Sequence, residues 1–591
     1  MSHAIIQDAQ RIVGDAHVIT EPAKMAKYCK GFRFGIGTAL AVIKPGTLVE
    51  MWQIAQACVK HDIIIITQAA NTGLTGGSTP FGDYDRDVVV LSTVRLKGIR
   101  LINDATQAVA LPGASLFELE DILEAHDREP HSVIGSSCIG ASIIGGICNN
   151  SGGALIRRGP AYTEMAAYAQ LDADGQLRFH NNLGINLGDD PETVLTRLQN
   201  NDYTQDDVEQ LQKLASDHEY HDRVREVDAD TPARFNNDGR RLYEASGSAG
   251  RLIVFAVRID TFTKPPREQV LYIGTNNTKH LSDIRRHILT HFDELPISGE
   301  YMHREYFNVS EKYGRDTVLV ISKFGSKYIP KFFALKNNVD RIAGKFGFLP
   351  KYLSDRVTQF FMNLLPSHLP KIMQEYRDKY EHHLILKMAD DGIDQAKAYL
   401  DEYFTTHEGG YHACTEKEGD MAILHRFAAA GAAKRYHAMK HKKVGAILAL
   451  DIALRRNEEE WFETLPPDIE AVVEDKLYCG HFFCHVMHQD YILKQGVDAD
   501  DLKKRLLKFF DDRGAEYPAE HNVGHLYLAK ADLKAFYKKN DPTNSLNPGI
   551  GKTSKVKNWA DDKPAPLVEH YVEGEEDDDV QGCGCGCNHD R

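Results

Sequence analysis

Two short segments in the last fifth of the chain concentrate side chains able to move a proton or hold a cation. YCGHFFCHVMHQDY, residues 478–491, carries His481, His485 and His488, and AEHNVGHLY, residues 519–527, carries Glu520, His521 and His525. Two imidazoles and a carboxylate make a common open metal site, and a neighbouring uncoordinated histidine is suited to accept a proton. On one strand His481 and His488 would face opposite ways, whereas on a helix their spacing of seven would align them. The competing reading is that several of these histidines only satisfy hydrogen bonds at a domain boundary.

The first half holds a different pattern. QAANTGLTGGSTP, residues 68–80, follows a run of four isoleucines; EPHSVIGSSCIGASIIGGICNNSGG, residues 129–153, has glycines at 135, 140, 145, 146, 152 and 153; EASGSAG, residues 244–250, precedes the alternating RLIVFAVRIDTF. Glycine lets the backbone approach a ligand closely, and successive N–H groups can cradle a phosphate. A segment so poor in bulky polar groups packs against something flat or lines a narrow slot. Plain glycine-rich turns are the alternative. Neither of the first two loops is a G-x-G-x-x-G turn opening a Rossmann unit, which argues against a nicotinamide dinucleotide.

The elements that must position these groups can also be read. A chain of 591 residues implies two to four domains. Residues 38–101 alternate strand-like and helical signals (TALAVIKPGT, LVEMWQIAQACVKH, IIIITQAAN, DVVVLST), which predicts a compact α/β unit. No stretch approaches the ~18 consecutive apolar residues of a membrane span. The N-terminus has no basic region followed by an apolar run, so a cytoplasmic location is expected. Ten cysteines are too sparse for a disulfide framework. A net charge of -15 argues against a general nucleic-acid binder.

That average conceals a basic insert. Residues 323–380 hold eleven Lys or Arg against four Asp or Glu, a net +7, interleaved with Phe332, Phe333, Tyr352, Phe360 and Phe361. Lysines meeting anionic lipid while aromatic groups enter the headgroup boundary would explain this composition; interdomain packing is the competing reading. HRFAAAGAAKRYHAM, residues 425–439, is a second basic segment rich in helix formers. The acidic end, EGEEDDDVQGCGCGCNHDR, is expected to be disordered, and its cysteines do not follow a usual four-ligand zinc spacing.

Together these segments resemble the FAD-linked oxidase family that includes vanillyl-alcohol oxidase, and within it the bacterial D-lactate dehydrogenase branch. The resemblance extends to about residue 560; QAANTGLTGGSTP, PHSVIGSSCIGASIIGGICNNSGG and DPTNSLNPGIGKTSK are its most specific parts. It implies an α+β chain: a two-subdomain FAD-binding fold, an α/β cap, and an inserted, mainly helical membrane-binding domain. The implied divisions are 1–265 and 516–565 for FAD binding, 266–310, 384–425 and 446–515 for the cap, 311–383 and 426–445 for the membrane-binding domain, and a tail from 566.

By that resemblance Asn71, Thr72, Gly73, Leu74, Thr75, Gly76, Ser136, Gly140, Ala141, Gly145, Asn149, Gly250 and Ile253 contact FAD. Relatives with covalent FAD carry a histidine in the first loop; Gln68, Ala69, Ala70 and Asn71 replace it here, so noncovalent FAD is expected. Relatives that oxidise 2-hydroxy acids carry GHVGDGNLH and SEHGIG motifs. GHFFCHVMH keeps the two outer histidines and AEHNVG keeps the Glu-His pair, implying His481, His488 and Glu520 as ligands of a divalent metal and His521 as base; the intervening DGN is replaced. Arg304 is a candidate for the substrate carboxylate. The implied activity is oxidation of D-lactate to pyruvate, with electrons passed to a membrane quinone by an enzyme peripheral to the cytoplasmic face of the inner membrane, on an anionic surface and without nucleic acid. The alternatives are an oxidase, a dehydrogenase of another 2-hydroxy acid such as 2-hydroxyglutarate, and a non-catalytic flavin-binding adaptor.

Overall fold

The computed structural model describes residues 2–131, 140–210, 212–325, 328–346 and 352–561. Ser136 and the acidic cysteine-rich tail lie outside the described residues.

The isoleucine and valine runs become buried strands, as their composition predicts. Ile64–Gln68 and Val88–Ser92 pair in parallel, with Ala41–Ile43 parallel on the far side of Val88–Ser92. The helix Leu48–Lys60, capped by the Thr47 side chain, packs its apolar face on this small sheet. A second, antiparallel sheet follows the order Ile99–Ile102, Gln107–Ala110, Ile253–Thr263, Ala166–Leu171, Leu177–Asn181, with Arg128–Pro130 also pairing to Ile253–Thr263. Residues of both sheets share one core, in which Ile65 and Val89 lie with Val109 and Phe255. The chain returns here late in its sequence: Leu546 bridges to Ile65 in parallel, so this segment extends the first sheet.

The third sheet has seven antiparallel strands in the order Gly410–Ala413, Glu268–Thr275, His382–Ala389, Ser298–His303, Val473–His481, Val486–Lys494, Val444–Ala453. Its pleat separates two cores. Tyr478, Tyr491 and Leu493 face one side, while Leu477, Cys479 and Ile492 face the other, against helices Arg304–Tyr313 and Glu416–Lys440.

Between Ser298–His303 and His382–Ala389 the described residues form five helices: Arg304–Tyr313, Arg315–Phe324, Ile329–Ala343, Leu353–Asn363 and Lys371–Lys379. Arg435, on the long helix Glu416–Lys440, ties three elements of this region together. Its guanidinium donates to the Tyr313 carbonyl at 2.9 Å, to Asp316 at 2.6 Å and to Asp355 at 3.0 Å. The long helix runs unbroken through positions 425 and 426, where the resemblance divides cap from membrane-binding domain. Its Thr415–Glu418 capping box and alanine-rich interior, with no proline, favour continuation. Residues 444 and 445 likewise already belong to the strand Val444–Ala453.

No helix among the described residues is long and apolar enough to cross a membrane. Of the fourteen exposed large apolar side chains among the described residues, eleven nevertheless lie between Phe324 and Leu365, with Leu364 69% and Phe360 62% exposed. Such clustering marks an interaction surface rather than scattered exposure. Lys336 does not contribute a free charge to it, being held 2.5 Å from Asp355 and largely buried.

Candidate active site

The small-residue loops meet around one cavity with an empty volume of about 1110 Å³. The first loop is braced from within. The buried Gln68 amide donates to the Tyr28 carbonyl at 2.9 Å and the Ser78 carbonyl at 2.7 Å, and Ser78 and Thr79 hydroxyls donate to the Asn71 side chain at 3.1 and 3.0 Å. Asn71, Thr72, Gly73, Leu74 and Thr75 line the cavity from this loop; Ala141, Gly145, Asn149 and Gly250 line it from the other two. A Cβ added at Gly73 would meet nothing within 4 Å, so that stretch of backbone faces open space. This is the cradle that a close-lying nucleotide cofactor needs, and the loop holds no histidine for a covalent bond to it.

Three expected contacts fall elsewhere. Gly76 is not a lining residue: its φ of +72° and the Phe34 carbonyl oxygen, 2.6 Å from where its Cβ would stand, make it a tight-turn position packed on the 30–37 loop. Gly140 also lies off the lining, in the left-handed region at φ +88°. Ile253 points into the core shared by the first two sheets, and the neighbouring Leu252 and Val254 line the cavity instead. On a strand a shift of one residue reverses the face, so Ile253 and its two neighbours point to opposite sides.

Sequence reasoning missed Asn547 and Asn522. The Asn547 amide donates to the carbonyls of Gly77 and Ala249, both at 2.7 Å, clasping two cavity loops at once. Asn547 lies in DPTNSLNPGIGKTSK, so the signal was a recognised motif whose asparagines had no assigned task. The Asn522 carbonyl accepts from the Thr75 hydroxyl at 2.8 Å, and the His525 N–H donates to the Thr75 carbonyl at 3.0 Å, fastening the AEHNVG segment to the first loop.

His481 and His488 lie neither on one strand nor on one helix. A hairpin joins Val473–His481 to Val486–Lys494 through Phe482–Cys484, with His485 in the left-handed region, and its register pairs Cys479 with His488 and His481 with Val486. The two imidazoles thus meet diagonally on one face. His481 Nε2 is 3.4 Å from His488 Nε2 and 3.2 Å from Glu520 Oε2; His488 Nε2 is 3.7 Å from the same oxygen. His481 Nδ1 lies 2.6 Å from Glu300 Oε1, an arrangement in which Nδ1 carries the proton and Nε2 presents its lone pair. Three acceptors then converge, and only a cation among them, proton or metal, makes that favourable. Burial opposes it, but the Arg234 guanidinium 2.6 Å away favours the charged Glu520 carboxylate, while burial keeps His488 neutral, as a ligand must be.

His521, 33% exposed, lines the cavity and stands 3.8 Å from Asp451, which also lies 3.5 Å from His488 Nδ1. Burial pushes the Asp451 carboxyl up to about 6. The remaining two histidines follow the boundary reading. His485 Nδ1 hydrogen-bonds to the Arg455 carbonyl at 2.9 Å, and His525 bonds to the Thr79 carbonyl at 3.0 Å and stacks on Phe81.

Arg304 is not at the site. It opens the helix Arg304–Tyr313 and pairs with Glu381 at 2.9 Å; neither it nor Arg33 is a lining residue of the cavity. Four residues further along the chain than Glu300, it is carried past the site by the strand rise of ~3.3 Å per residue. Two nearer arginines are occupied: Arg234 with Glu520 at 2.6 Å and Arg426 with Glu300 at 3.2 Å. Arg33, exposed in the loop that packs on Gly76, makes no hydrogen bond or ion pair among the described residues. It is close enough to help stabilise the carboxylate of Asp490, two residues along the strand from His488.

Comparison with known proteins agrees with this assembly. Residues 39–179 match the family model described as FAD binding domain, and residues 270–559 match D-lactate dehydrogenase, membrane binding. A quinone-dependent D-lactate dehydrogenase of Haemophilus influenzae is 58% identical, over 93% of this chain and 98% of that protein; one from Escherichia coli is 56% identical, over 94% and 98%. Among solved structures, p-cresol methylhydroxylase with substrate bound superposes with a TM-score of 0.55 at 13% identity, covering 93% of this chain and 96% of that one. Alkyldihydroxyacetonephosphate synthase gives 0.54 at 10% identity, covering 92% and 84%, and both likenesses concern the fold. By sequence over nearly its whole length, and with the two family models side by side, this chain belongs to the quinone-dependent D-lactate dehydrogenase family.

Proposed function

We propose that the chain binds FAD noncovalently in the cavity between the small-residue loops and oxidises D-lactate to pyruvate, with a membrane quinone as final acceptor. The observation that carries the reading is that His521 opens onto the same cavity as the first loop and the 141–149 and 249–254 segments. FAD, when bound, supplies the hydride acceptor; the protein's task is to hold the substrate carbon against it. His521 takes the hydroxyl proton. His481, His488 and Glu520 would hold a divalent cation, which would supply Lewis-acid polarisation of the substrate oxygens. Arg33 receives the carboxylate, since it is the arginine at this junction that has no protein carboxylate within ion-pair distance.

The chain associates with the membrane peripherally, through the helices that carry the exposed apolar groups between Phe324 and Leu365. Anionic lipid on the cytoplasmic face is the surface that suits them, because exposed Lys323 and Lys345 flank those groups in a chain whose net charge of -15 such lipid would otherwise repel.

Anaerobic mixing with D-lactate, L-lactate and D-2-hydroxyglutarate tests the activity. D-lactate should bleach the flavin fastest; bleaching by none of them would leave an adaptor, and preference for the larger acid would move the substrate assignment. Liposome co-sedimentation tests the surface. Lys323→Glu with Lys345→Glu should weaken binding to anionic vesicles, and equal binding to neutral and anionic vesicles would remove the charge argument.

A further inference from the structure

The exposed apolar groups Phe360, Phe361, Leu364 and Leu365 sit directly before a group of histidines that the lactate site does not use. His368 follows this knob by three residues, and its ring lies 5.6 Å from that of His425 on the long helix. Phe307 continues the line, 4.3 Å from the His425 ring and 5.4 Å from that of His383. Among the described residues neither ring nitrogen of His368, His425 or His383 has a hydrogen-bond partner, although all six atoms are shielded from solvent. The backbone of Phe307 and Tyr380 lies near enough to His425 and His383 to favour their charged forms slightly, without hydrogen-bond geometry. His368 has not even that. Burial dominates and keeps all three neutral, His368 being lowered to about 4 and His383 to about 3.

A neutral imidazole carries one donor and one acceptor, and leaving either unmatched in the interior is costly. Unmatched groups that recur side by side point to a partner that comes from outside. The turn before His368 is firmly placed: Arg315 donates to the carbonyls of Met362 at 2.8 Å and Leu365 at 2.6 Å, and Ser367 donates to Glu311 at 2.6 Å. The group also connects inward. His425 is followed by Arg426, whose guanidinium is 3.2 Å from Glu300, and Glu300 holds His481 Nδ1 at 2.6 Å. Side-chain contacts and the one backbone step from His425 to Arg426 thus link the helices with the exposed apolar groups to the cation site beside the flavin cavity.

We propose that His368, with His425 behind it, receives the headgroup of the membrane quinone while its apolar tail stays among Phe360, Phe361, Leu364 and Leu365. The inference rests on the reading above that a quinone is the acceptor. Quinone carbonyls accept hydrogen bonds and quinol hydroxyls donate them; an imidazole serves both by its choice of tautomer. The reaction balances without another reagent. The reduced flavin gives up two electrons and returns to its oxidised form, and both quinone C=O groups become C–OH by taking those electrons and two protons, equal in number to the hydrogens that leave lactate.

The test uses full-length holoenzyme on liposomes containing ubiquinone, with His368→Leu and His368→Gln. For His368→Leu, reoxidation of the flavin by ubiquinone should slow at least tenfold, while flavin reduction by D-lactate, reoxidation by ferricyanide and liposome binding stay at the wild-type level. His368→Gln, which keeps a donor and an acceptor, should recover much of the rate. An azido-quinone photoprobe should label residues 360–373 of the wild-type protein and lose that label in His368→Leu. A wild-type ubiquinone rate in His368→Leu, equal slowing with ferricyanide, or labelling elsewhere would each overturn the site, water alone then serving the histidines. Wild-type flavin that ubiquinone does not reoxidise at all, but ferricyanide does, would overturn the acceptor reading itself.

Discussion

Gly524 measures how closely the two ends of the chain must fit at the active site. It lies in the left-handed region at φ +50°, and a Cβ there would fall well inside contact distance of the Thr75 carbonyl oxygen, hydroxyl and Cβ. Thr75 lines the cavity, and Gly524 follows His521 by three residues. Gly524→Ala therefore has two separable effects. Left-handed backbone costs an alanine roughly 1 kcal/mol. The overlap with Thr75 is mostly with backbone and the stem of its side chain, so the loop and the AEHNVG segment must separate by roughly 1 Å, a displacement that costs about 100-fold in rate, or about 2.7 kcal/mol in the barrier. Gly496→Ala provides the control, because Gly496 has φ +80° and nothing within 4 Å of its Cβ. The assay is FAD content of the purified protein followed by anaerobic stopped-flow reduction with D-lactate. Gly496→Ala should keep both at the wild-type level. Gly524→Ala should lose FAD and reduce what remains about 100-fold more slowly; wild-type content and rate in that variant would refute the claim that this contact sets the geometry.

Three further outcomes are expected. His521→Ala should slow flavin reduction ~100- to 10,000-fold, the usual contribution of a general base, with FAD content unchanged because the side chain is partly exposed and its nearest carboxylate is 3.8 Å away; near-normal reduction would withdraw its role. Arg33→Met should raise the D-lactate concentration for half-maximal flavin reduction by roughly 10- to 100-fold, as loss of a hydrogen bond to a charged group does, whereas Arg304→Met should leave it unchanged; the opposite ranking would restore Arg304. Metal analysis should find a divalent ion that Glu520→Gln or chelation removes, with flavin reduction slowed in parallel, and metal-free protein of full activity would reject a required metal.

The parts of the site that were legible in the sequence are those where backbone chemistry dictates residue type. A loop that must pass close to a cofactor is short of side chains, so the first loop announced itself through glycine and alanine, and the buried parallel strand before it through isoleucine. The amphipathic pattern located the helix Leu48–Lys60, and the valine run the strand Val88–Ser92, closely. What stayed hidden depends on register and long-range pairing. His481 and His488 share a face because a 3-10 turn folds one strand back on the next, and no single period contains that. Ile253 failed on the phase of the pleat, and Arg304 on how far along a strand it stands from Glu300. Arg33 and Asn547 act across hundreds of residues, and nothing local in GFRFGIG or in NPGIG says what they will meet.

The bond from Asn547 to the Gly77 carbonyl spans 470 positions of the chain. That separation has a consequence in time. A ribosome adding about 5–20 residues per second needs roughly 25 to 95 s between the first loop and the residue that clasps it. Throughout that interval the glycine-rich loop is exposed, with its edge strand lacking Leu546 and one wall of its cavity missing. The seven-stranded sheet and the helices with the exposed apolar groups are all made before the cavity can close. Cofactor loading is thus a late event in the life of each molecule, and a nascent chain interrupted before residue 541 would carry the helices with the exposed apolar groups without the closed chamber for its flavin.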